Sequence, residues 1–385
     1  METDIFKELP VRPKIRISYY VIPMSDNRVQ LRSGSDAFLL HGETVHKLIQ
    51  QLFPLLDGQH SVQDILRKME GYPQETIFNF LSRLTQRRVI EDAALEPLQP
   101  VSKQELDCHV PQLTYFSHYS ANPYEQQAKL RQATVAVCGL GPLGSRLAVS
   151  LARAGVGKIM GLDDAQVTET DVHQGVIFAA KDLGQARTKS LTENQAGMSY
   201  TCWEGIECKV EFPDDLVPYL QQVDYLAVCL ESPNPLLLER INQACLDIGL
   251  TWTWCALDGH IATIGPTVIP RELACWKCYD LRVKANIDHY EEYLAYDNHL
   301  RQKAEQQVSF GYLTPALDML AGFTATEIIK DISGLTPPTT YGAQISFDML
   351  TTEFDLHPVL KLPRCPVCSR LKDHGAMIRP FLERE

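Results

Sequence analysis

The sequence lacks a long hydrophobic run. No apolar stretch approaches the roughly 20 residues that a membrane-spanning helix needs. The opening METDIFKELPVRPKIR has no apolar core of the kind that a signal peptide requires. Eleven cysteines in a chain without an export signal indicate thiols and metal ligands rather than disulfides. We therefore expect a cytoplasmic protein with no membrane partner.

Basic residues are in short supply. Lys and Arg number 36 against 48 Asp and Glu, which gives a formal net charge of −12. An acidic chain is a poor match for polyanions, so we exclude nucleic acid as the main partner. The remaining composition, 45% hydrophobic and 22% charged over 385 residues, is that of a globular protein with two or three domains.

The first part of the chain predicts a small α+β unit. The strand-like segments RISYYVIP and RVQLR flank SDN as in a hairpin, and FLLHG adds a third strand. Three helical patterns follow, in ETVHKLIQQLFPLL, SVQDILRKM and PQETIFNFLSRLTQRR. We expect a winged-helix-like domain over residues 10–95. Because prolines interrupt the next stretch, we expect a linker over 96–114.

Strands and helices then alternate through residues 115–385, which predicts an α/β domain with a largely parallel sheet. At its start an apolar strand leads into GLGPLG, where Gly139, Gly141 and Gly144 have the spacing of a nucleotide-binding turn. Asp163 ends the next strand, at the position of an acid that hydrogen-bonds a ribose. The alternative explanation for the glycines is close packing of a strand on a helix.

Two Cys-x-x-Cys pairs, Cys275 with Cys278 and Cys365 with Cys368, can supply four thiolates to one tetrahedral zinc ion. Such a site is closed, so the zinc would be structural. The alternatives are two unrelated thiol pairs or a thioredoxin-like redox motif. A redox pair usually opens a helix, and we expect neither pair to do so.

Together these features resemble the ThiF/MoeB/HesA superfamily of ubiquitin-activating-enzyme-like adenylyltransferases. The likeness rests on the glycine turn, the acid after the second strand, DLGQAR at 182–187 and the cysteine pairs, and it covers roughly residues 115–375. It implies a Rossmann-like ThiF/MoeB domain with structural zinc, assembly as a homodimer, and a site for ATP and Mg²⁺ at the glycine turn.

Further segments resemble a narrower group, the ThiF-like partner proteins of YcaO cyclodehydratases, namely VTETDVHQGVIF, CWKCYDLR and HPVLKLPRCPVC. The N-terminal unit is similar to the PqqD-like element that binds leader peptides. The resemblance implies a chain that binds the leader of a ribosomally made precursor peptide and presents it to a YcaO enzyme for azoline and azole formation.

In such recognition elements the leader adds as a strand to a sheet edge and lies against the third helix. The matching edge residues are Ala37, Phe38, Leu39 and Leu40. On the third helix Arg83 and Arg87 lie one turn apart and can receive leader carboxylates. The alternative for these arginines is an ordinary solvated helix face.

Several positions depart from the pattern of the adenylating members. Where those members carry Asn and then an Arg that touches the ATP phosphates, this chain has Asp171 and Gln174. Their lysine falls on Arg187 and their magnesium-binding aspartate on Glu231. Loss of one charge-assisted contact costs roughly 1.5–3 kcal/mol. We therefore expect a non-catalytic partner protein with a vestigial nucleotide pocket.

Two other functions compete with this expectation. The first is an ATP-dependent adenylating, peptide-modifying enzyme of the microcin or pantocin type. The second is a nicotinamide dehydrogenase, suggested by the glycine turn alone. The cysteine pairs and DLGQAR count against the dehydrogenase.

Overall fold

The computed structural model of the chain separates into two units, Met1–Ala128 and Lys129–Glu385. It describes residues 9–25, 27–34, 36–197, 199–302 and 311–369. The end of the second predicted domain, 370–385, lies outside these ranges. Within them, no helix has the length and hydrophobicity needed to cross a membrane.

Residues 9–95 of the first unit form two small antiparallel sheets and three α-helices around one core. One sheet is the pair β1–β5 and the other has the strand order β2–β3–β4. The elements are β1 (Pro13–Ile15), β2 (Tyr20–Met24), β3 (Arg28–Ser33), β4 (Asp36–His41), α1 (Glu43–Leu52), α2 (Val62–Lys68), α3 (Gln74–Gln86) and β5 (Ile90–Asp92). The three-stranded sheet and the three helices are those that the sequence predicts.

The side-chain periodicity of these elements produces the core. On β3 the alternate residues Val29 and Leu31 are buried, as expected for a strand with one face on the core. On α3 the buried residues are Ile77, Leu81 and Leu84, which recur at helical spacing. These side chains belong to one cluster, so strand and helix pack against a common interior.

The stretch 96–114, expected as a linker, contains helical structure. It holds α4 (Lys103–Cys108) and the start of α5 (Val110–Ser117). Ser102 caps α4 with its side chain, and Pro111 lies in the first turn of α5. A proline at that position costs no hydrogen bond, because the first N–H groups of a helix have no partner within it. Proline therefore marks a helix start here rather than an interruption.

The second unit is built on one eight-stranded sheet of order β13–β12–β11–β10–β9–β6–β7–β8. The strands from β10 to β8 are parallel, and the other three add antiparallel at one edge. The strands are β6 (Thr134–Cys138), β7 (Lys158–Asp163), β8 (Cys202–Glu207), β9 (Tyr225–Leu230), β10 (Trp252–Asp258), β11 (Ile261–Ile264), β12 (Ala343–Asp348) and β13 (Phe354–Pro358). The predicted largely parallel α/β fold is confirmed.

Helices connect these strands, and the chain enters the second unit through the first of them. They are α6 (Pro123–Gln132), α7 (Pro142–Arg153), α8 (Glu169–Gln174), α9 (Arg187–Gln195), α10 (Val217–Leu220), α11 (Pro235–Ile248), α12 (Trp276–Ala285), α13 (Tyr290–Gln302) and α14 (Thr314–Ser333). All six residues of β9 are buried, as expected for a strand inside a parallel sheet. The carboxyl ends of β6, β7 and β9 therefore meet at one edge, where ligands bind in this class of fold.

Candidate functional site

The glycine turn joins β6 to α7. Gly139 has φ +88°, in the left-handed region that favours glycine. A Cβ atom on Gly144 would lie 1.7 Å from the carbonyl oxygen of Gly139, so α7 can begin this close to the strand only without a side chain there. Both requirements arise from packing and hold with or without a ligand.

A cavity of about 850 Å³ lies beside this turn, at the carboxyl ends of β6, β7 and β9. Gly144 and Gln174 are not among the residues that line it. The lining does bring together five of the predicted nucleotide-site residues, namely Gly139, Gly141, Asp163, Arg187 and Glu231.

The Glu231 carboxylate lies directly on the glycine turn. Its Oε1 accepts a hydrogen bond of 2.7 Å from the Leu143 N–H, in the first turn of α7. A Cβ atom on Gly141 would lie 2.6 Å from the same oxygen. Burial raises the pKa of Glu231, and the bond from Leu143 and the charge of Arg187 oppose this rise. The carboxylate therefore takes one amide donor, the Leu143 N–H, of the kind that such turns usually offer to a phosphate.

Arg187 is held by two acids. Its Nη2 lies 2.9 Å from Asp171 Oδ2, and its Nη1 lies 3.3 Å from Asp163 Oδ2. Burial alone would lower the pKa of Arg187, but the two carboxylates raise it. Asp163, the predicted ribose acid, also accepts the N–H groups of Leu140 at 2.6 Å and Ala165 at 2.7 Å. Both members of the Asp163–Arg187 pair therefore already have partners in the protein.

Gln174, the last residue of α8, makes its contact near the glycine turn through its backbone carbonyl and not through its side chain. Its carbonyl oxygen accepts a hydrogen bond from the guanidinium of Arg146. Arg146 is buried; it also donates to the Pro142 carbonyl at 2.9 Å and pairs with Asp318 at 2.6 Å. Sequence reasoning missed this arginine. The signal that marks it is a charge inside the apolar run LGSRLAV, directly after the glycine turn.

Three further cationic side chains line the same cavity. Lys209 pairs with Glu211 at 2.9 Å, and Arg301 pairs with Asp297 at 3.0 Å. Arg240 donates to a backbone carbonyl at 2.8 Å. Sequence reasoning missed all three because they follow no motif. Like Arg187, each of them is engaged by an oxygen of the protein.

The four predicted metal ligands come together. The Sγ atoms of Cys275, Cys278, Cys365 and Cys368 all lie within 4.8 Å of one another. Cys275 and Cys365 are 3.7 Å apart, and Cys278 and Cys368 are 3.5 Å apart. Thiolates about 2.3 Å from a tetrahedral zinc would be roughly 3.8 Å apart. The cluster can therefore hold a zinc ion.

The first cysteine pair differs from expectation in its local structure. Cys275 is the N-cap of α12, and Cys278 lies in its first turn, so this pair does open a helix. Hydrogen bonds from the thiols of Cys275 and Cys368, and from the Leu362 N–H, lower the pKa of Cys278. Because the second pair faces the first, the arrangement is that of a four-thiolate metal site and not of an isolated redox dithiol.

In the first unit, the predicted peptide-binding residues Ala37, Phe38, Leu39 and Leu40 lie in β4, at one edge of its sheet. Phe38 and Leu40 pack toward the core, whereas Leu39 is 49% exposed. Arg83 and Arg87 lie at the end of α3, and both are exposed. The guanidinium of Arg87 is 5.2 Å from the centre of the Phe38 ring, so this end of α3 lies against β4.

The second unit has a doubly wound α/β fold with a glycine turn at the carboxyl edge of its sheet and a four-cysteine cluster that can hold a metal ion. This is the architecture of the ubiquitin-activating-enzyme-like proteins. The chain belongs to the ThiF family, whose family model matches residues 115–367. The resemblance to ThiF-like proteins is therefore confirmed.

Curated relatives align with about two thirds of the chain. Protein HesA, vegetative, from Trichormus variabilis is 25% identical over 261 residues, which is 65% of this chain and 86% of that protein. The sulfur carrier protein ThiS adenylyltransferase of Escherichia coli is 24% identical over 250 residues, 63% of this chain and 88% of that protein.

Solved structures share the fold over more of the chain. A crystal structure of E. coli MccB with ATP has a TM-score of 0.71 at 19% identity, covering 93% of this chain and 99% of that one. A complex of MccB with MccA-N7isoASN reaches 0.73 with the same coverage. The crystal structure of PaaA gives 0.63 at 17% identity, covering 77% of this chain and 96% of that one.

Proposed function

We propose that this chain binds the leader of a ribosomally made precursor peptide and presents it to a YcaO cyclodehydratase, without adenylating the peptide itself. The observation that supports the absence of adenylation is the hydrogen bond from the Leu143 N–H to Glu231 Oε1. A chain-borne anion occupies the turn that would otherwise receive a nucleotide phosphate.

ATP with Mg²⁺ does not fit the residues as they stand. A triphosphate at the turn would meet the Glu231 carboxylate, and the cations lining the cavity already pair with protein oxygens. Gln174 brings no positive charge, and it lies outside the cavity lining. Catalysis of phosphoryl or adenylyl transfer depends on cations placed for the transition state. We therefore assign no chemical step to this pocket.

The first unit supplies the peptide site. Among the residues that the structure describes, β4 pairs with β3 and with no other strand, so its other edge offers backbone N–H and C=O groups to an added strand. Each such hydrogen bond contributes about 0.5–1.5 kcal/mol and needs no particular side chain in the ligand. A tethered leader would raise the concentration of the core peptide near the YcaO enzyme.

The cysteine cluster gives the chain a structural zinc. Cys275 and Cys278 would hold the ion from α12, and Cys365 and Cys368 from the turn that follows β13. A closed four-thiolate site supplies folding energy and no catalytic position. Reduced cysteines of this kind belong to the cytoplasm, where we place the protein.

A second candidate is an adenylating, peptide-modifying enzyme. The likeness to MccB favours it, because that fold match extends over 93% of this chain and includes a structure with ATP. Arg187 and Glu231 also keep the charge signs of the residues they replace. Under this alternative Glu231 would turn from Leu143 toward a metal–nucleotide complex.

One incubation separates the two candidates. Purified chain, precursor peptide and ATP are combined with and without the YcaO partner, and nucleotide products and peptide mass are followed. We expect no peptide-dependent AMP or ADP, no ATP–pyrophosphate exchange and no mass change until the partner is added. Peptide-dependent nucleotide turnover by this chain alone, together with a changed peptide mass, would overturn the proposal and establish the enzyme.

A further inference from the structure

The first unit carries a pair of arginines whose placement defines the kind of peptide that β4 takes. We infer that the bound strand presents two carboxylates, two residues apart, to Arg83 and Arg87. The inference rests on the proposed peptide site, and it names the chemical class of its ligand: an extended acidic segment with the pattern acid–any residue–acid.

The position of Arg87 places the arginine pair close to β4. Its guanidinium lies 5.2 Å from the ring centre of Phe38, a β4 residue whose side chain packs toward the core. Arg83 lies one helical turn earlier on α3, so the two side chains share a helix face. A strand added beside β4 would therefore run past a basic helix end.

Neither arginine side chain forms an ion pair within the parts of the chain that the structure describes. Other arginines of the first unit do: Arg67 pairs with Asp64 at 3.7 Å, and Arg16 with Glu91 at 4.0 Å. Two like charges one turn apart repel each other and destabilise an isolated helix. A ligand that brings carboxylates would relieve this repulsion.

The charge balance of residues 10–95 points the same way. This segment contains eleven Lys and Arg against nine Asp and Glu, whereas the whole chain has 36 against 48. Residues 10–95 are thus slightly basic, although the complete first unit, Met1–Ala128, has 13 Lys and Arg against 16 Asp and Glu. An acidic peptide would be attracted to residues 10–95 and repelled by the rest of the chain.

The spacing of the two arginines sets the spacing of the acids. Four residues of α-helix advance about 6 Å along the axis. Two residues of extended strand advance about 6.8 Å and return to the same side of the strand. Carboxylates at alternate positions of the peptide therefore match the arginine pair, whereas adjacent carboxylates would point to opposite sides.

The test uses the full chain and a phage-displayed library of random linear peptides. Selection runs in parallel on the wild-type protein, on the double variant Arg83→Gln, Arg87→Gln, and on the control Arg67→Gln, which removes an exposed charge from α2. We expect acid–any residue–acid peptides to be enriched by the wild type and by the control, and not by the double variant.

Binding of one selected peptide is then measured by fluorescence anisotropy against versions with Asn in place of the acids and with the two acids made adjacent. Exposed ion pairs predict about a 3- to 10-fold loss for the Asn version, smaller at high salt. Thermal melts verify that the double variant is folded. Enrichment of peptides without the acidic pattern, or of the same acidic peptides by the double variant, would overturn the inference and leave the peptide site standing. Selection of no peptide at all would count against the peptide site as well.

Discussion

The Leu143 N–H donates to Glu231 Oε1 at 2.7 Å, across 88 positions of sequence. One N–H group in the first turn of α7 is therefore hydrogen-bonded to a carboxylate of the same chain. An external phosphate must displace this carboxylate before it reaches the same donor, so the side chain acts as an internal competitor. Under the proposed function, this contact is the reason why the chain keeps the fold without the adenylating activity.

Removing this competitor should create nucleotide binding. We expect Glu231→Ala to bind ATP at least about 10-fold more tightly than the wild type in calorimetry, because a hydrogen bond to a charged group contributes roughly 1.5–3 kcal/mol. Glu353→Ala is the matched control, since it removes the same charge at an exposed position that does not line the cavity. Weaker ATP binding by Glu231→Ala, with no change in the control, would indicate a magnesium ligand and the enzyme alternative.

The zinc site predicts one equivalent of zinc per chain in protein purified without chelator, measured by elemental analysis. We expect Cys365→Ser to lose the metal and to become insoluble or strongly destabilised. The apparent free energy of zinc binding, about 10–16 kcal/mol, is in such sites part of the folding free energy.

The matched control for the zinc site is Cys202→Ser, because Cys202 is an exposed cysteine outside the cluster. This variant should keep its zinc and its melting temperature. Less than half an equivalent of zinc in the wild-type protein would contradict the assignment.

Strand addition at β4 predicts a position-specific effect of proline. Consecutive N–H groups of an edge strand point alternately toward its neighbour and toward solvent. Of Phe38→Pro and Leu39→Pro, one should therefore weaken binding of a selected peptide by about 2- to 12-fold, the value of one lost hydrogen bond. The other should mainly lower the melting temperature. Phe38→Ala and Leu39→Ala correct for the lost side chains, and unchanged peptide binding in both proline variants would exclude pairing at this edge.

The superfamily resemblance predicts a homodimer formed through the second unit. Light scattering at micromolar concentration should give about twice the 43.4 kDa of one chain. A mass of one chain under these conditions would show that this family member works as a monomer.

Sequence patterns correctly predicted the features that depend on residues close together in the chain. The glycine turn, the strand after it and the cysteine pairs follow from spacing, and the fold contains each of them. The sequence does not predict helices α4 and α5 because the prolines of this stretch suggest interruptions, although Pro111 occupies the first turn of α5. The pairing of Glu231 with Leu143 was beyond sequence reasoning, because it depends on how β9 and α7 meet in space.

The free edge of β4 has a practical consequence for handling the protein. Among the described residues β4 is paired along one edge only, and an edge strand with an exposed Leu39 is a template for pairing with another chain; natural proteins usually protect such edges. Concentrated ligand-free samples should therefore become turbid on storage, through edge-to-edge self-association. Under the proposed function, saturation with a selected peptide would cover this edge and should keep such samples clear.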